Sequence, residues 1–256
     1  MKTGKKAAVK VFYSGFFLCY TERQTNELYR RQTEMAVCGK RTANSSSVWI
    51  SWATAAVGAV FLMTLSVVCV LNLRSIYYYN ITSQNLCEET GLSEQALREN
   101  YEVLITYNSL LGPDELEFPD FPMSEHGRIH FEEVKVIFLL IERLCIASGI
   151  LLLFLIFFSL QRREIAWMKR TAIVTLVLPL GAGMLIGLNW ERFFTGFHEL
   201  VFSNDYWLFD PATDPVILAL PDAFFFDCAA AIVLILLACC AALFLLYHIL
   251  KKKIKL

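Results

Sequence analysis

The chain has 256 residues, of which 56% are apolar, 14% aromatic and 18% charged, with a formal net charge of -1 and a mean hydropathy of +0.49. Soluble domains carry roughly a quarter charged residues, so an ordinary soluble domain is excluded. High hydrophobicity with almost no net charge also excludes a disordered regulator and a basic nucleic-acid binder.

In chain order, residues 1–46 form a basic arm with nine Lys and Arg against Glu22, Glu27 and Glu34. Its stretch 9–20 is short, is broken by Lys10 and lacks a small-residue cleavage site, so no cleavable signal peptide is expected there. It reads as an interfacial anchor or as an unstructured tail. Four segments are then apolar and long enough to cross about 30 Å of hydrocarbon: 47–73, 136–160, 171–189 and 224–250. They are separated by segment 74–135, a short turn 161–170 and segment 190–223, and followed by the tail 251–256. Seventeen Lys and Arg lie in the arm, the turn and the tail, and only five in the two long loops, which hold eighteen Asp and Glu. By the positive-inside rule both termini are cytoplasmic and both long loops face outward.

In the first outer segment, Ser93 caps a helix whose apolar stripe is Leu97, Tyr101, Leu104, Ile105 and Leu111, stopped by Gly112-Pro113. Residues 116–122, with two prolines, Phe118 and Phe121, read as extended. Ser124-Glu125 opens a helix that runs into the second span. In the second outer segment Phe194, Phe197, His198, Val201 and Phe202 have near-helical spacing. Residues 206–209 and 216–220 read as two short strands joined by a turn at 210–215. Pro221-Asp222 opens the last span, as suits a helix N-terminus. The expected fold is an all-α membrane protein of four transmembrane helices with cytoplasmic termini. The two outer loops cap it with a small extracytoplasmic α/β domain.

Glu142, Arg143 and Asp227 fall inside the spans and read as internally paired or interface-seeking, and the absence of an inverted repeat argues against a transporter. Cys87 is the one cysteine in an outer loop, so no disulfide framework is expected. Asn80-Ile81-Thr82 matches a glycosylation triplet, a pattern common by chance.

Of the four histidines, His248 sits by Tyr247 and the lysine tail as an interfacial anchor, while His126, His130 and His198 lie in the outer loops. Imidazole moves protons both ways near neutrality, so His130 and His198, if they converge, can serve an amphiphilic substrate as base and acid. Three readings stay open on spacing alone: that acid–base pair, plain interfacial hydrogen bonding, and a metal site from His126, His130 and His198. The metal reading suffers from Gly127 between the first two and from the missing Glu of His-Glu-x-x-His. Glu133, three residues after His130, shares its helical face and is a candidate to orient the imidazole. No nucleophile elbow, phosphate loop or dinucleotide fingerprint appears in the outer segments.

Two blocks carry a resemblance. Ser124-Glu125-x4-His130-Phe131-Glu132-Glu133-Val134-Lys135 precedes the second span. Phe197-His198-x3-Phe202-x-Asn204-Asp205-x-Trp207-x-Phe209-Asp210-Pro211, then Leu220-Pro221-Asp222-x-Phe224-Phe225, precedes the fourth. Over residues 48–250 the chain resembles the bacterial four-span lipoprotein intramolecular transacylase (Lit) family. The resemblance implies transfer of the sn-2 acyl chain of a diacylglyceryl-cysteine lipoprotein to the α-amino group of the same cysteine, giving a lyso-form lipoprotein. It implies His130 and His198 as catalytic residues, with Glu133, Lys135, Glu199, Asn204, Trp207 and Asp210 in support. Position 133 is Glu where many relatives are expected to carry Asp. The implied partners are diacylglyceryl-modified lipoproteins and membrane lipids, with no nucleic acid, no cofactor and no metal. A monomer in the bacterial cell membrane, with its active site outside, is expected. The competing readings are a non-catalytic membrane protein whose outer domain binds a ligand or partner, and a lipid-directed membrane hydrolase.

Overall fold

The computed structural model describes residues 48–254; residues 1–47, with the basic arm and its stretch 9–20, lie outside the described residues, as do 255 and 256. The elements are α1 (Val48–Leu71), α2 (Arg74–Ser83), α3 (Leu86–Thr90), α4 (Glu94–Tyr107), α5 (Glu125–Gln161), α6 (Ala166–Leu188), α7 (Trp190–Val201), α8 (Val216–Ala219) and α9 (Asp222–Ile254). Helices α1, α5, α6 and α9 are each long and apolar enough to cross a membrane. They leave large side chains such as Leu153, Val177 and Leu234 exposed, which lipid tails satisfy.

Small residues set the close approaches of the bundle. A Cβ on Gly58 would lie 3.0 Å from the Thr171 side chain, and one on Gly149 would lie 2.9 Å from the Phe61 ring. The Thr54 and Ser159 hydroxyls meet at 3.4 Å between α1 and α5. Without a hydrophobic drive between helices in lipid, such close packing and hydroxyl contacts hold them together. Helix α5 has 37 residues, about 55 Å at 1.5 Å per residue, against about 30 Å of hydrocarbon. Its first eleven residues are rich in charge and stand clear of the apolar segment that begins at Val136.

Those eleven residues belong to a cap built by α2, α3, α4, α8 and the loops around them. Its core joins Tyr77, Leu97, Tyr101, Phe131, Val216 and Phe224. Tyr77 stacks on Tyr101 at 3.9 Å, and Phe224 meets both rings edge-on at 5.5 and 5.8 Å. Phe131 of α5 packs with Phe118 at 5.6 Å and Phe209 at 5.5 Å. One core therefore ties both loop segments to the ends of two spans, α5 and α9.

Three expectations are corrected. Among the described residues there is no strand, so the cap is α-helical rather than α/β. Residues 216–219 form a single helical turn behind Pro215, whose φ of -63 suits a helix start, and Leu208 turns back to the Asp205 carbonyl. An apolar run of four or five residues fits either period. Here Val216 and Ala219, three apart, both point into the core. Helix α4 is capped by Ser93, whose Oγ accepts from the Ala96 N–H at 3.2 Å. It ends at Tyr107, where Asn108 bonds back to the Leu104 carbonyl. Leu111 therefore leaves the stripe and is 95% exposed. Asn80 of the glycosylation triplet is fully buried. Its Nδ2 donates to Asp227 Oδ2 at 2.8 Å and to the Ile76 carbonyl, which leaves no route for a glycan. The same bond gives Asp227 an internal partner between cap and bundle.

The Asn80–Asp227 bond should be visible in stability. Asn80→Ala is expected to cost about 1.5–3 kcal/mol, the range for a hydrogen bond to a charged group. Asn80→Asp should cost more, because it sets two carboxylates together. Thermal unfolding of the detergent-solubilised variants measures both, and equal stability of all three chains would remove the bond from the fold's support.

Candidate active site

The site begins where α5 begins. Ser124 is the N-cap, its Oγ accepting from the Gly127 N–H at 3.0 Å. Asp214, buried in the loop before α8, accepts the Ser124 N–H at 2.7 Å and the Thr213 hydroxyl at 2.7 Å. A carboxylate at a helix N-terminus meets both the free N–H groups and the helix dipole. Gly127 is demanded by this contact, since a Cβ there would run into Asp214 Oδ1 and lie 3.3 Å from Met123. On the outward face Arg128 takes Glu125 at 2.5 Å and also pairs with Glu132. The opposite face turns His130, Phe131 and Glu133 inward.

His130 is 6% exposed. The Phe202 and Phe209 rings meet it edge-on at 4.8 and 5.4 Å, and the His198 ring lies 6.2 Å away, centroid to centroid. His198 comes from α7, a helix capped by Asn189 through the Arg192 N–H at 2.8 Å. Trp207 and Phe202 stack against it at 4.8 and 5.7 Å, and Phe194 packs at 4.2 Å. Its Nδ1 lies 2.8 Å from the Phe194 carbonyl. A carbonyl only accepts, so Nδ1 carries the hydrogen and Nε2 keeps a free lone pair.

Burial disfavours the charged form of both rings. The pKa of His130 is pushed down to about 4, by burial first and by the neighbouring His198 second. That of His198 is lowered by burial, against the opposing pull of the Phe194 carbonyl and Asp222. Both rings are therefore neutral at pH 7, which fits one of them to take a proton.

Of the implied supporting residues, Trp207 touches the pair, Asn204 and Glu133 bond to each other, and three turn elsewhere. Trp207 stacks on His198. Asn204 donates from Nδ2 to Glu133 Oε1 at 2.8 Å and accepts from the Tyr206 N–H at 3.1 Å. Glu133 thus faces Asn204, with Oε2 buried and unpartnered, and no hydrogen bond joins it to His130, whose Nδ1 is likewise unpartnered. The expectation that this carboxylate orients the imidazole is not met. Lys135 turns away, donating to the Pro113 carbonyl and lying 4.3 Å over the Tyr107 ring. Glu199 is exposed on α7. Asp210 closes its own loop, accepting the Ala212 N–H at 2.9 Å. His126 is exposed and stacks on Tyr206 at 4.1 Å. Among the described residues no three His, Cys, Asp or Glu side chains are arranged to hold a metal ion. Asp214 is the functional residue that sequence reasoning misses, although Asp-Pro before a short apolar run signals a helical start as well as a turn.

An integral membrane protein of four spans, with two neutral imidazoles meeting at the polar end of its bundle, is the class that fold and site define. The chain belongs to the lipoprotein intramolecular transacylase (Lit) family, whose model matches residues 53–225. It is similar to the membrane-integral lipoprotein intramolecular transacylase Lit from Bacillus cereus, at 32% identity and a TM-score of 0.81 over 83% of this chain and 99% of that one. Variants of that protein with one histidine changed to arginine or to alanine match at 30% and 31% identity, with TM-scores of 0.78 and 0.77. The first covers 86% of this chain and 98% of its own, the second 85% and 99%. No curated protein matches the chain in a sequence search.

Two measurements test this geometry. Gly127→Ala forces Asp214 off the start of α5, with an expected cost of about 1–3 kcal/mol as for other overpacked sites. Gly181→Ala, which meets open space, should change thermal unfolding little. Secondly, an unfolded imidazole titrates near 6.5, so the unfolded chain binds more protons than the folded one below that pH. Stability should hold above about pH 6.5 and fall as pH drops towards about 4, where the His130 ring charges. His130→Gln should flatten that fall, and an unchanged pH profile of unfolding would contradict a buried neutral ring.

Proposed function

We propose that this protein moves the sn-2 acyl chain of a diacylglyceryl-cysteine lipoprotein to the α-amino group of the same cysteine. The observation that carries the reading is the pair of imidazoles, His130 buried and His198 half-buried, 6.2 Å apart between aromatic walls at the rim of the bundle. His198 offers its Nε2 lone pair because Nδ1–H is committed to the Phe194 carbonyl. It takes a proton from the neutral amine as the C–N bond forms, and returns it to the glyceryl oxygen as the ester C–O bond breaks. His130, across the gap, donates its single N–H to the carbonyl oxygen as negative charge builds there. One proton passes from nitrogen to oxygen, and no bond to the enzyme is made.

Nucleophile and ester belong to one molecule, so holding it folded supplies much of the acceleration. The substrate's chains lie among the lipid-facing helices while its ester and amine reach the rim. The charge distribution supports cytoplasmic termini and a site on the extracytoplasmic side. We take the protein as a monomer in the bacterial cell membrane, and its lipoprotein substrates as the only partners besides lipid.

His130→Ala and His198→Ala are each expected to lower conversion of a diacyl lipopeptide to its N-acylated lyso form by at least about 100-fold, as for loss of an acid–base group. Mass spectrometry of the lipopeptide reads the product, and membrane extraction confirms that the variants insert. Retained conversion in either variant removes that ring from the chemistry.

A further inference from the structure

We infer that Glu133 recognises the positively charged α-amino group of the substrate cysteine, through the carboxylate oxygen that Asn204 leaves free; this rests on the transacylase reading above. Glu133 Oε1 accepts the Asn204 amide at 2.8 Å. Oε2 is buried with no donor among the described residues. Leaving a buried carboxylate oxygen unmet is costly, and a ligand that supplies the donor accounts for a site that keeps one.

The chemistry of the missing donor can be narrowed. One helical turn before Glu133, on the same face, His130 Nδ1 is also buried and unpartnered. A neighbouring pair of one anionic oxygen and one imidazole nitrogen is best met by a cation with several N–H groups. An ammonium has three donors and no acceptor. The two basic side chains of the same helix end are both engaged elsewhere. Arg128 is held by Glu125 and Glu132 on the outward face, and Lys135 by the Pro113 carbonyl and the Tyr107 ring. Neither satisfies Glu133. Asn204 lies two residues after Phe202, whose ring packs on both His130 and His198. Asn204 thus ties Glu133 to the loop that carries Phe202, and so to the surroundings of the imidazole pair.

An N-terminal α-amino group has a pKa of roughly 7.7–8.0 and arrives mostly charged at neutral pH. Held by Glu133, its nitrogen stands one helical turn from His130, and once it sheds a proton to water it is placed to attack. The same contact accounts for product release. Acyl transfer turns the nitrogen into a neutral amide, so the feature that Glu133 recognises disappears with turnover. An already N-acylated lipoprotein is refused for the same reason.

The test uses the full-length protein in detergent and a glyceryl-cysteinyl peptide whose two chains are ether-linked, so that no transfer occurs. One form carries a free α-amine and the other an acetylated one. The wild-type protein is expected to bind the free amine roughly tenfold or more tightly, as for a buried charge pair. Glu133→Gln should erase that preference, with affinity for the acetylated form unchanged, which also certifies the fold. Glu133→Asp, which keeps the charge, should retain a preference. A preference that survives in Glu133→Gln, or is missing in the wild type, overturns the inference. So does a Glu133→Gln variant that loses turnover yet keeps the preference, because the carboxylate then acts on the imidazole alone. Failure of the transacylase reading is separate: it appears as wild-type protein that gives no N-acylated product from the ester-linked peptide.

Discussion

A helix that begins inside a protein has to find acceptors for its first N–H groups, and the way α5 finds them organises everything around it. Ser124 Oγ takes the Gly127 N–H and Asp214 takes that of Ser124. Asp214 belongs to the segment between α7 and α8, so its carboxylate fastens the second loop region to the helix that carries His130. Because it needs the space a side chain at Gly127 would fill, it also fixes the rotation of α5. With that rotation set, Arg128 and Glu132 face outward, and His130, Phe131 and Glu133 face in. A slip of one residue, about 100° of turn, would put His130 or Glu132 into the cap core in place of Phe131.

The interior that results is divided. Phe131 joins the cap core with Phe118 and Phe209. Immediately beside it, His130 and His198 occupy a space bounded by Phe194, Phe202, Phe209 and Trp207. Packing against aromatic walls takes both rings partly out of water, which penalises their charged form. The rings therefore keep the protonation state that can take or lend a proton. Glu133 follows one helical turn after His130, and Asn204 meets half of its carboxylate.

How much of this is legible in the sequence follows from the physics of each signal. The spans are readable because a run of about twenty apolar residues is stable in few settings besides a lipid bilayer. Helix α4 is readable through Ser93 and the spacing of Leu97, Tyr101, Leu104 and Ile105, but its end is not. Asn108 caps it by bonding to Leu104, a choice that competes with the Gly112-Pro113 stop only once tertiary packing is known. The segment 216–220 reads as a strand and folds as a helical turn because four apolar residues carry no period. Helices α2 and α3 leave little trace: α2 has no side-chain N-cap bond, and polar Asn80 sits in its core face for the sake of Asp227, 147 residues away. His130 and His198 can be nominated as a pair, but their partners cannot. Whether a carboxylate at i+3 meets the imidazole or an asparagine from another loop is decided by the loop, and nothing in the spacing of residues 130–133 encodes it.

Helix α7 shows how such a site meets its lipid surroundings. It has no buried residue, and Phe197, Leu200 and Val201 are open on its outer side while His198 turns in towards Trp207 and Phe202. An amphipathic helix of this kind at the end of a span rests in the membrane interface, its apolar side chains among the acyl chains. The exposed apolar side of α7 thus lies directly beside the site. For a reaction on an amphiphile this arrangement removes most of the binding problem, because the hydrocarbon holds the chains and leaves only the head of the molecule to be oriented. What the proposed transfer then asks of the protein is short-range: a charge to hold the amine, a lone pair to move one proton and an N–H for the carbonyl oxygen. On that proposal two imidazoles and one carboxylate, rather than a nucleophile with its activating triad, are enough.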